Sequence, residues 1–438
     1  MLLSFLLSFA FLAGNTLGFS QFPLPQFSAE GSRHCHYMVI PENRVSSSNI
    51  VLRATGFQTT RRNIFGIAFC GILTNLLGSS PTSVDGSEGP SPSTSLTIAY
   101  RTLSLPVAEF GINVPVSVWY PITDEMASLP SEAKYDYKIS LRRIGQLLAK
   151  WNFIPEIMSR DFSLTPSGSS TIRVVDGKSI PIKADGDSGA KVVFLAHGFL
   201  GSRSDLGYIA EELASQGFVC VAPEYPESLE ASYPRLEGLD RAAINKRLVP
   251  YIQGMLPQHI GSYSAIGHSL GCGTVLQMGD DSWSRVLMGS GRAPLTPSAT
   301  NQPSKDGTSV YKNPVVGGRL LFISSVNDGP VNSWGGSIQI PDGYTVLQES
   351  KLKDEGAFTN LDRAAVIFDG ETAPNHISYL SENVNDAMLS FLSPLLPITK
   401  ALDIPVLDFD KYADSRDSVA TGRVLKPLIS GFLVNSKS

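Results

Sequence analysis

The pentapeptide GHSLG at residues 267–271 is the feature that most constrains how this chain can fold. An apolar run, residues 263–266, precedes it, and a helix-like segment, residues 272–278, follows it. A serine between two glycines at such a junction is typical of a tight turn that lifts the hydroxyl out of a sheet. Because this pattern also occurs by chance in glycine-rich loops, the prediction of Ser269 as a nucleophile depends on finding its base and acid.

From residue 96, strand-like runs alternate with helical patterns, which is typical of a mostly parallel sheet covered by helices. Continuous apolar runs predict buried strands at 191–196, 218–223, 263–266, 285–289, 319–325 and 364–368. The remaining patterns predict an antiparallel pair at 96–105 and 113–120, a hairpin at 171–183, and helices at 131–151, 206–215 (with Asp205 as N-cap) and 377–392. This is the layout of an α/β-hydrolase fold, in which the serine follows the fifth strand.

One histidine is placed to act as the base. The sequence contains six histidines, and only His376 follows Ser269. It lies in a loop between the predicted strand 364–368 and the predicted helix 377–392. From this loop an imidazole can reach the tight turn at Ser269, the nucleophile elbow. Since this layout carries its residues in the order serine, acid, histidine, His376 is the predicted general base. A surface or helix-capping histidine is the alternative.

The acid that orients this imidazole is predicted to be Asp328. It directly follows the predicted strand 319–325, 59 residues after the serine and 48 before the histidine. Asp369, which follows the strand before the histidine, and Asp306, in a Ser/Pro/Gly-rich loop, compete with it. Because Asn-Asp-Gly is also a frequent turn sequence, a turn role for Asp328 stays open.

A tetrahedral oxyanion needs two hydrogen-bond donors, which are usually backbone amides. The residue after the nucleophile, Leu270, is predicted to supply the first. The loop after strand 191–196 begins HGFLG, and the amide of Phe199 in this loop is the predicted second donor. His197 and His268 are predicted to be structural hydrogen-bonding groups rather than catalysts.

Composition excludes several classes of function. The 438 residues are 42% hydrophobic and 17% charged, with a net charge of −5. No stripe of Lys and Arg is present to neutralise phosphates, so no nucleic-acid partner is expected. Beyond residue 79 only Cys220 and Cys272 remain, too few for a disulfide framework. Cys272 is predicted to be a buried apolar residue, with a catalytic thiol as the alternative. No cluster has zinc-ligand spacing, and neither a metal nor a cofactor is expected.

Residues 1–79 are predicted to form a targeting leader. A short apolar run at 1–12 is followed by a Ser- and Arg-rich, acid-poor segment at 19–60, and Arg61-Arg62 precede a second apolar run. This series of secretory, transit-like and twin-arginine signals resembles the leaders of thylakoid proteins in algae whose plastids have extra membranes. We expect a plastid protein, thylakoid-associated or lumenal. A single signal peptide on a secreted or endomembrane protein is the alternative.

Three further segments follow the leader. Residues 80–95 are a Ser/Pro/Gly linker. Residues 96–396 are the predicted α/β-hydrolase domain, and residues 397–438 form a C-terminal extension whose scattered apolar residues leave its packing undetermined.

Two segments resemble a known group of proteins. The sequence HGFLGSRSDLGYIAEELASQGFVCVAPEYPES, with IGHSLGCGTVL around the elbow, resembles the α/β-hydrolases that include chlorophyllases and platelet-activating-factor acetylhydrolases. The upstream VPVSVWYP, followed by a helical insert, also resembles them. The resemblance covers residues 96–392. It implies a metal-free serine ester hydrolase that acts on lipophilic esters.

The chain departs from this group at one place. Both subgroups usually carry their acid soon after the strand that follows the nucleophile helix, where this chain has LMGSGR at 287–292, without a carboxylate. The acid is therefore expected one strand later, at Asp328, and assignment to either subgroup is weakened.

The expected substrate is a small lipophilic ester, and the plastid leader favours chlorophyll, with phytol as the leaving alcohol. A lipase or phospholipid esterase of the acetylhydrolase type, an acyltransferase and a non-catalytic binding protein are the alternatives. A peripheral contact with a membrane also stays open, and no oligomeric state is predicted.

Overall fold

Two antiparallel strands open the described part of the chain. In this computed structural model, the described residues are 96–122, 133–150, 155, 159–167, 172–174, 180, 189–230, 232–296, 316–335, 338–349, 352, 361–392 and 414–434. Strand β1 (Ile98–Val107) pairs with β2 (Ile112–Pro121) along its full length. A 3-10 turn, Ala108–Phe110, joins them and ends at Gly111, whose φ of 62° favours glycine. The leading pair predicted from the sequence is therefore present. The predicted leader and linker lie outside the described residues.

Parallel strands form the centre of the sheet. They are β6 (Ala190–Ala196), β7 (Phe218–Pro223), β8 (Ile260–His268), β9 (Ser284–Met288), β10 (Leu320–Ser325), β11 (Thr345–Gln348) and β12 (Arg363–Phe368). With β5 (Ile172–Val174) at one edge, the sheet order in the described residues is β11-β12-β10-β9-β8-β6-β7-β2-β1-β5. Strand β6 lies between β8 and β7, so the loops that follow β6 and β8 leave the same edge of the sheet side by side.

Both faces of the sheet are covered, because each central strand is apolar on both sides. On one face the core contains Val193 and Leu195 and the helices α2 (Gly207–Ser215), α6 (Glu382–Leu392) and α7 (Ser418–Val434). On the other it contains Val192 and Phe194 and the helices α3 (Arg241–Met255) and α4 (Leu270–Leu276). A short helix, α5 (Gly329–Gly335), follows β10. A mostly parallel sheet flanked by helices is thus confirmed, and this strand order with the elbow after β8 is that of an α/β hydrolase.

The helix predicted at 131–151 is wrong in its first half. Strand β3 (Tyr135–Ser140) occupies that half and pairs with β4 (Ser159–Leu164), outside the main sheet. Tyr135, Tyr137 and Ile139 are buried in alternation with more exposed residues, which is the period of a strand. Only α1 (Leu141–Ala149) is helical, and it begins where the Ser140 hydroxyl accepts a hydrogen bond from the Arg143 amide.

Two further local predictions need correction, while the hairpin predicted at 171–183 lies mostly outside the described residues. The strand described there, β5, pairs in parallel with β1. Asp205 does not cap α2, because its carboxylate accepts the hydroxyl of Ser202 and the helix has no side-chain cap. The helix predicted at 377–392 is divided into a 3-10 turn, His376–Tyr379, and α6, with Ser381 between them bonded to the carbonyl of Asp205.

The C-terminal extension packs into the fold where it is described. Helix α7 buries apolar side chains in the same core as α2, namely Leu425, Leu428, Ile429, Phe432 and Leu433. Its Gly422 lies against the ring of Tyr208 on α2. Among the described residues, no helix combines the length and apolar character needed to cross a bilayer.

Candidate active site

Ser269 lies on a strained turn between β8 and α4. Its φ of 54° and ψ of −120° fall in a region that residues with a side chain rarely adopt. Two backbone hydrogen bonds hold this geometry: the Ser269 amide donates to the carbonyl of Met288 at 2.9 Å, and its carbonyl accepts from the amide of Cys272 at 2.9 Å. Strain maintained by its neighbours presents the hydroxyl at the edge of the sheet.

The two glycines of the motif are required by packing. A Cβ on Gly267 would lie 2.3 Å from the carbonyl oxygen of Gly271, and a Cβ on Gly271 would lie 2.0 Å from that of Ala196. Both distances are far inside van der Waals contact, so the first turn of α4 can pack against β6 and β8 only with glycine at these positions.

Asp328 and His376 come together from separate loops. Asp328 follows β10 and is fully buried, while His376 follows β12. The imidazole Nδ1 lies 2.8 Å from each carboxylate oxygen of Asp328, and the amide of Val331 donates to Oδ1 at 3.0 Å. An ionised carboxylate only accepts, so Nδ1 carries the proton and donates it, and Nε2 keeps a lone pair. A histidine that acts as a general base needs this tautomer, because the lone pair on Nε2 accepts the proton.

The imidazole of His376 lies close to the elbow without a hydrogen bond to the serine. A Cβ on Gly289, which directly follows β9, would lie 3.3 Å from His376 Cε1 and 3.2 Å from the ring of His268, the neighbour of Ser269. No hydrogen bond joins the hydroxyl of Ser269 to the described imidazole. Contacts of this kind often tighten only when a substrate is bound.

The histidine loop is fixed at both ends of its 3-10 turn. Asn375 begins the turn with a capping box: its side chain accepts a backbone amide, and its own amide donates to the Ser378 hydroxyl at 3.0 Å. Asn385 on α6 donates to the carbonyl of Ile377 at 2.8 Å. These bonds restrict where the imidazole of His376 can move.

The C-terminal segment adds a second support. Arg416 forms an isolated parallel bridge with Pro374, just before the histidine loop. Its guanidinium binds both carboxylate oxygens of Glu349, at 2.6 and 2.9 Å, and lies 5.4 Å from the centroid of the Phe368 ring. Residues far apart in the sequence therefore hold the loop that carries the base.

The competing candidates differ from Asp328 in their surroundings. Asp369 is exposed, and Asp306 lies outside the described residues. Cys272 is buried and donates its thiol to the carbonyls of Gly267 and Met288, at 3.3 and 3.2 Å. Burial raises the pKa of this thiol to about 12, which disfavours the thiolate that a nucleophile requires.

The two predicted oxyanion donors flank the serine. A Cβ on Gly198 would lie 3.1 Å from Ser269 Cβ, so the loop that carries Phe199 lies against the elbow. Leu270 is the first residue of α4, where an amide has no partner within the helix. In the described structure neither the Phe199 nor the Leu270 amide donates to another residue. Two backbone donors are thus free beside the hydroxyl.

His197 and His268 are buried and hydrogen-bonded, as predicted for structural residues. His197 Nδ1 contacts the carbonyl of Gly198 at 2.8 Å, and its Nε2 accepts the amide of Tyr225 at 3.0 Å. Burial, followed by the charge of Arg241, lowers the pKa of His197 well below its usual value. The imidazole is therefore neutral, and its 3.8 Å approach to Glu224 is no ion pair.

His268 forms a hydrogen bond with the backbone of His376. Its Nε2 donates to the carbonyl of His376 at 3.1 Å, and the two rings lie 4.7 Å apart. Burial, then the proximity of His376, lowers the pKa of His268 well below its usual value, so this ring also stays neutral.

Sequence reasoning missed the buried charges next to the loop that carries Phe199. Arg203 binds the carboxylates of both Glu224 and Glu230, and all three side chains are buried. Nearby, burial raises the pKa of the Asp205 carboxyl to about 7. Arg241, at the start of α3, was missed as well. No motif spacing marks any of them, because each is defined by what it meets in the folded chain.

Within the described residues, no group of three or more His, Cys, Asp or Glu side chains is arranged to hold a metal ion.

Comparisons with known proteins yield similar structures only. No protein-family model and no curated protein matches the chain. A ferulic acid esterase from Streptomyces cinnamoneus is 13% identical, with 78% of this chain and 91% of that chain covered and a TM-score of 0.38. A dienelactone hydrolase from Anabaena variabilis is 14% identical, with coverage of 67% and 96% and a TM-score of 0.30. Since both TM-scores are below 0.5, the fold assignment rests on the strand order and the elbow.

Proposed function

We propose that this protein is a serine ester hydrolase, with Ser269 as nucleophile, His376 as general base and Asp328 as the acid that orients the base. The observation that carries the proposal is the buried Asp328, hydrogen-bonded to His376 Nδ1, beside a serine on a strained turn. A buried carboxylate stabilises the imidazolium that forms when the histidine takes a proton.

In the proposed reaction, the Ser269 oxygen attacks the ester carbonyl while its proton passes to His376 Nε2. The oxyanion accepts hydrogen bonds from the Phe199 and Leu270 amides. Collapse of this intermediate breaks the bond to the alcohol, which takes the proton from His376 as it leaves. Water then attacks the acyl-enzyme by the same route, releasing the acid and restoring the serine.

Apolar side chains near the serine favour a lipophilic ester. Leu270, directly after the nucleophile, is 38% exposed, whereas most large apolar residues of the described structure are buried. Phe199, whose own amide is a proposed oxyanion donor, and Ile377, the residue after the proposed base, are partly buried. An apolar chain of a substrate would cover surface that otherwise faces water.

Within this class, the proposed reaction is chlorophyllase-like, the conversion of chlorophyll to chlorophyllide and phytol. Its support is the sequence resemblance and the plastid-type leader, residues 1–79. A lipase or phospholipid esterase of the acetylhydrolase type would use the same catalytic groups. The proposed location is a plastid, at or within the thylakoid.

Ser269→Ala tests the ester hydrolase. We expect it to abolish turnover of p-nitrophenyl butyrate, while the exposed-serine control Ser282→Ala keeps wild-type activity. Circular dichroism would establish that both variants fold. Wild-type turnover by a folded Ser269→Ala protein would overturn the proposal.

The substrate is tested with the protein lacking its leader, incubated separately with chlorophyll a, a phospholipid and a triacylglycerol. Chlorophyllide without fatty acid would support the chlorophyllase-like reaction. Fatty acid without chlorophyllide would overturn it in favour of a lipase or phospholipid esterase.

A further inference from the structure

Arg241 is buried and forms hydrogen bonds with the backbone of residues 197–199, the loop that carries the Phe199 amide and is here named the oxyanion loop. From the first position of α3, its Nη1 donates to the carbonyl of His197 at 2.7 Å and its Nη2 to the carbonyl of Gly198 at 3.2 Å. The planar fork of a guanidinium suits two neighbouring acceptors of this kind. One side chain therefore fixes two consecutive peptide units of the loop.

The Gly198 carbonyl belongs to the same peptide unit as the Phe199 amide. In a trans peptide the C=O and N–H groups point in opposite directions. Donors that hold the Gly198 oxygen from behind therefore direct the Phe199 N–H away from Arg241. That N–H is free in the described structure and lies in the loop packed against Ser269.

A second donor reaches the same oxygen. Because His197 Nε2 accepts the amide of Tyr225, its Nδ1 carries the ring proton and donates to the Gly198 carbonyl at 2.8 Å. Two donors on one carbonyl, one of them charged, polarise the peptide unit and strengthen its N–H as a donor.

Arg241 also connects the oxyanion loop to the nucleophile helix. Its Nη1 contacts the hydroxyl of Thr274 on α4 at 3.1 Å, and its Nε donates to Glu227 at 3.0 Å. Its guanidinium carbon lies 4.4 Å from the centroid of the Tyr225 ring. The helix that begins with Leu270 and the loop that carries Phe199 therefore share one anchor.

We infer that Arg241 is a positioning residue of the oxyanion hole, which orients and polarises the Phe199 amide through the Gly198 carbonyl. This inference rests on the proposed ester hydrolysis, since an oxyanion forms only if Ser269 attacks a carbonyl. The charge of Arg241 acts through the peptide unit, so its contribution is larger in the transition state than in the substrate complex.

The experiment compares Arg241→Met and Arg241→Lys with Arg247→Met, a control on the same helix whose arginine is exposed and pairs with Glu109. Each protein is reacted to completion with a fluorophosphonate probe, and the labelled fraction gives the number of molecules with a reactive Ser269. Turnover of p-nitrophenyl butyrate is then expressed per labelled site, and the inhibition constant of a boronic acid measures affinity for a tetrahedral adduct.

We expect Arg241→Met to lower kcat per site about 100-fold and to weaken boronic acid binding in proportion, with KM changed less than about 3-fold. A misoriented Phe199 amide no longer serves as a donor, and losing a single oxyanion donor costs about 100- to 1,000-fold. Arg241→Lys keeps the charge without the fork and should lie between this variant and the wild type. If Arg241→Met fails to fold, Arg241→Lys carries the test.

Failure of the proposed function and failure of the proposed role of Arg241 give different results. A wild-type protein that the fluorophosphonate does not label would overturn the proposed function. A labelled wild type, with kcat per site and boronic acid affinity unchanged in the folded Arg241 variants, would overturn the role of Arg241 alone. A purely structural role would reduce the number of labelled sites and leave kcat per site unchanged.

Discussion

The two sides of Ser269 differ in their chemical groups: side chains on one side and backbone amides on the other. On one side, the proposed base His376 and the proposed acid Asp328 are joined by side-chain hydrogen bonds of 2.8 Å, and Asp328 is fully buried. On the other side, the proposed donors are the backbone amides of Phe199 and Leu270. Arg241 and His197 bind the carbonyl oxygen in the peptide unit of the Phe199 amide. The first side depends on residue identity at the reacting atoms, and the second on residues one layer behind them.

This difference predicts how each side responds to substitution. Replacing a side chain on the base side removes a reacting or orienting group directly. On the oxyanion side, changing Phe199 or Leu270 leaves the amide in place, so only a change in the supporting layer alters the donor. Buried charge is concentrated on this second side, where Arg203, Glu224 and Glu230 meet.

The largest loss of activity is expected from Asp328→Asn on the base side. The amide keeps the shape but cannot stabilise the imidazolium, and it can hold the wrong tautomer of His376, so kcat should fall by about 10,000-fold. Turnover of p-nitrophenyl butyrate measures the effect. Asp369→Asn, at the exposed competing carboxylate, should keep wild-type turnover. Equal losses in both variants would contradict the assignment of the acid.

Gly271→Ala should damage both sides together, because its Cβ would lie 2.0 Å from the carbonyl of Ala196, where the oxyanion loop begins. We expect a loss of about 3 kcal/mol in the free energy of unfolding and a large loss of activity. The control Gly273→Ala lies in the same helix with nothing within 4 Å, and should gain up to about 1 kcal/mol. Urea unfolding measures both, and a neutral Gly271→Ala would show that the elbow does not need this close approach.

The last prediction concerns stability alone, and it tests the pH dependence that Asp205 confers behind the loop that carries Phe199. Burial raises the pKa of Asp205 from 3.8 to about 7, so the folded chain holds this proton at pH values where the unfolded chain has lost it. Folded protein therefore binds more protons between these values, and Asp205 makes the protein less stable as pH rises through them. Relative to Asp205→Asn, the free energy of unfolding of the wild type should fall by about 3 kcal/mol between pH 5 and pH 8.

Urea unfolding of the wild type and Asp205→Asn at both pH values checks this prediction. Comparing the two proteins at each pH cancels the contributions of His197 and His268, whose lowered pKa values act in the opposite direction. A constant difference between the two proteins would show that Asp205 is ionised throughout this range.

Sequence patterns predicted the fold because its strands are buried on both faces and its elbow requires small residues at fixed spacing. The central strands, the leading antiparallel pair and the position of Ser269 follow from hydrophobic runs and glycines. The strand β3 was mistaken for helix, since its Tyr135, Tyr137 and Ile139 are buried against tertiary neighbours rather than by a local signal. The division after His376 was missed for the same reason, because Ser381 bonds to the distant Asp205.

The sequence by itself determined which residues are candidates for chemistry: a serine in its motif, one histidine after it, and an aspartate after the strand that ends at Ser325. Only the tertiary structure decided which of them meet and what supports them. It brings Asp328 to His376 across 48 residues and sets Arg241 behind the amide of Phe199. The reason is physical: a side chain's identity is written in the sequence, whereas hydrogen bonds to distant backbone groups depend on how the folded chain brings them together.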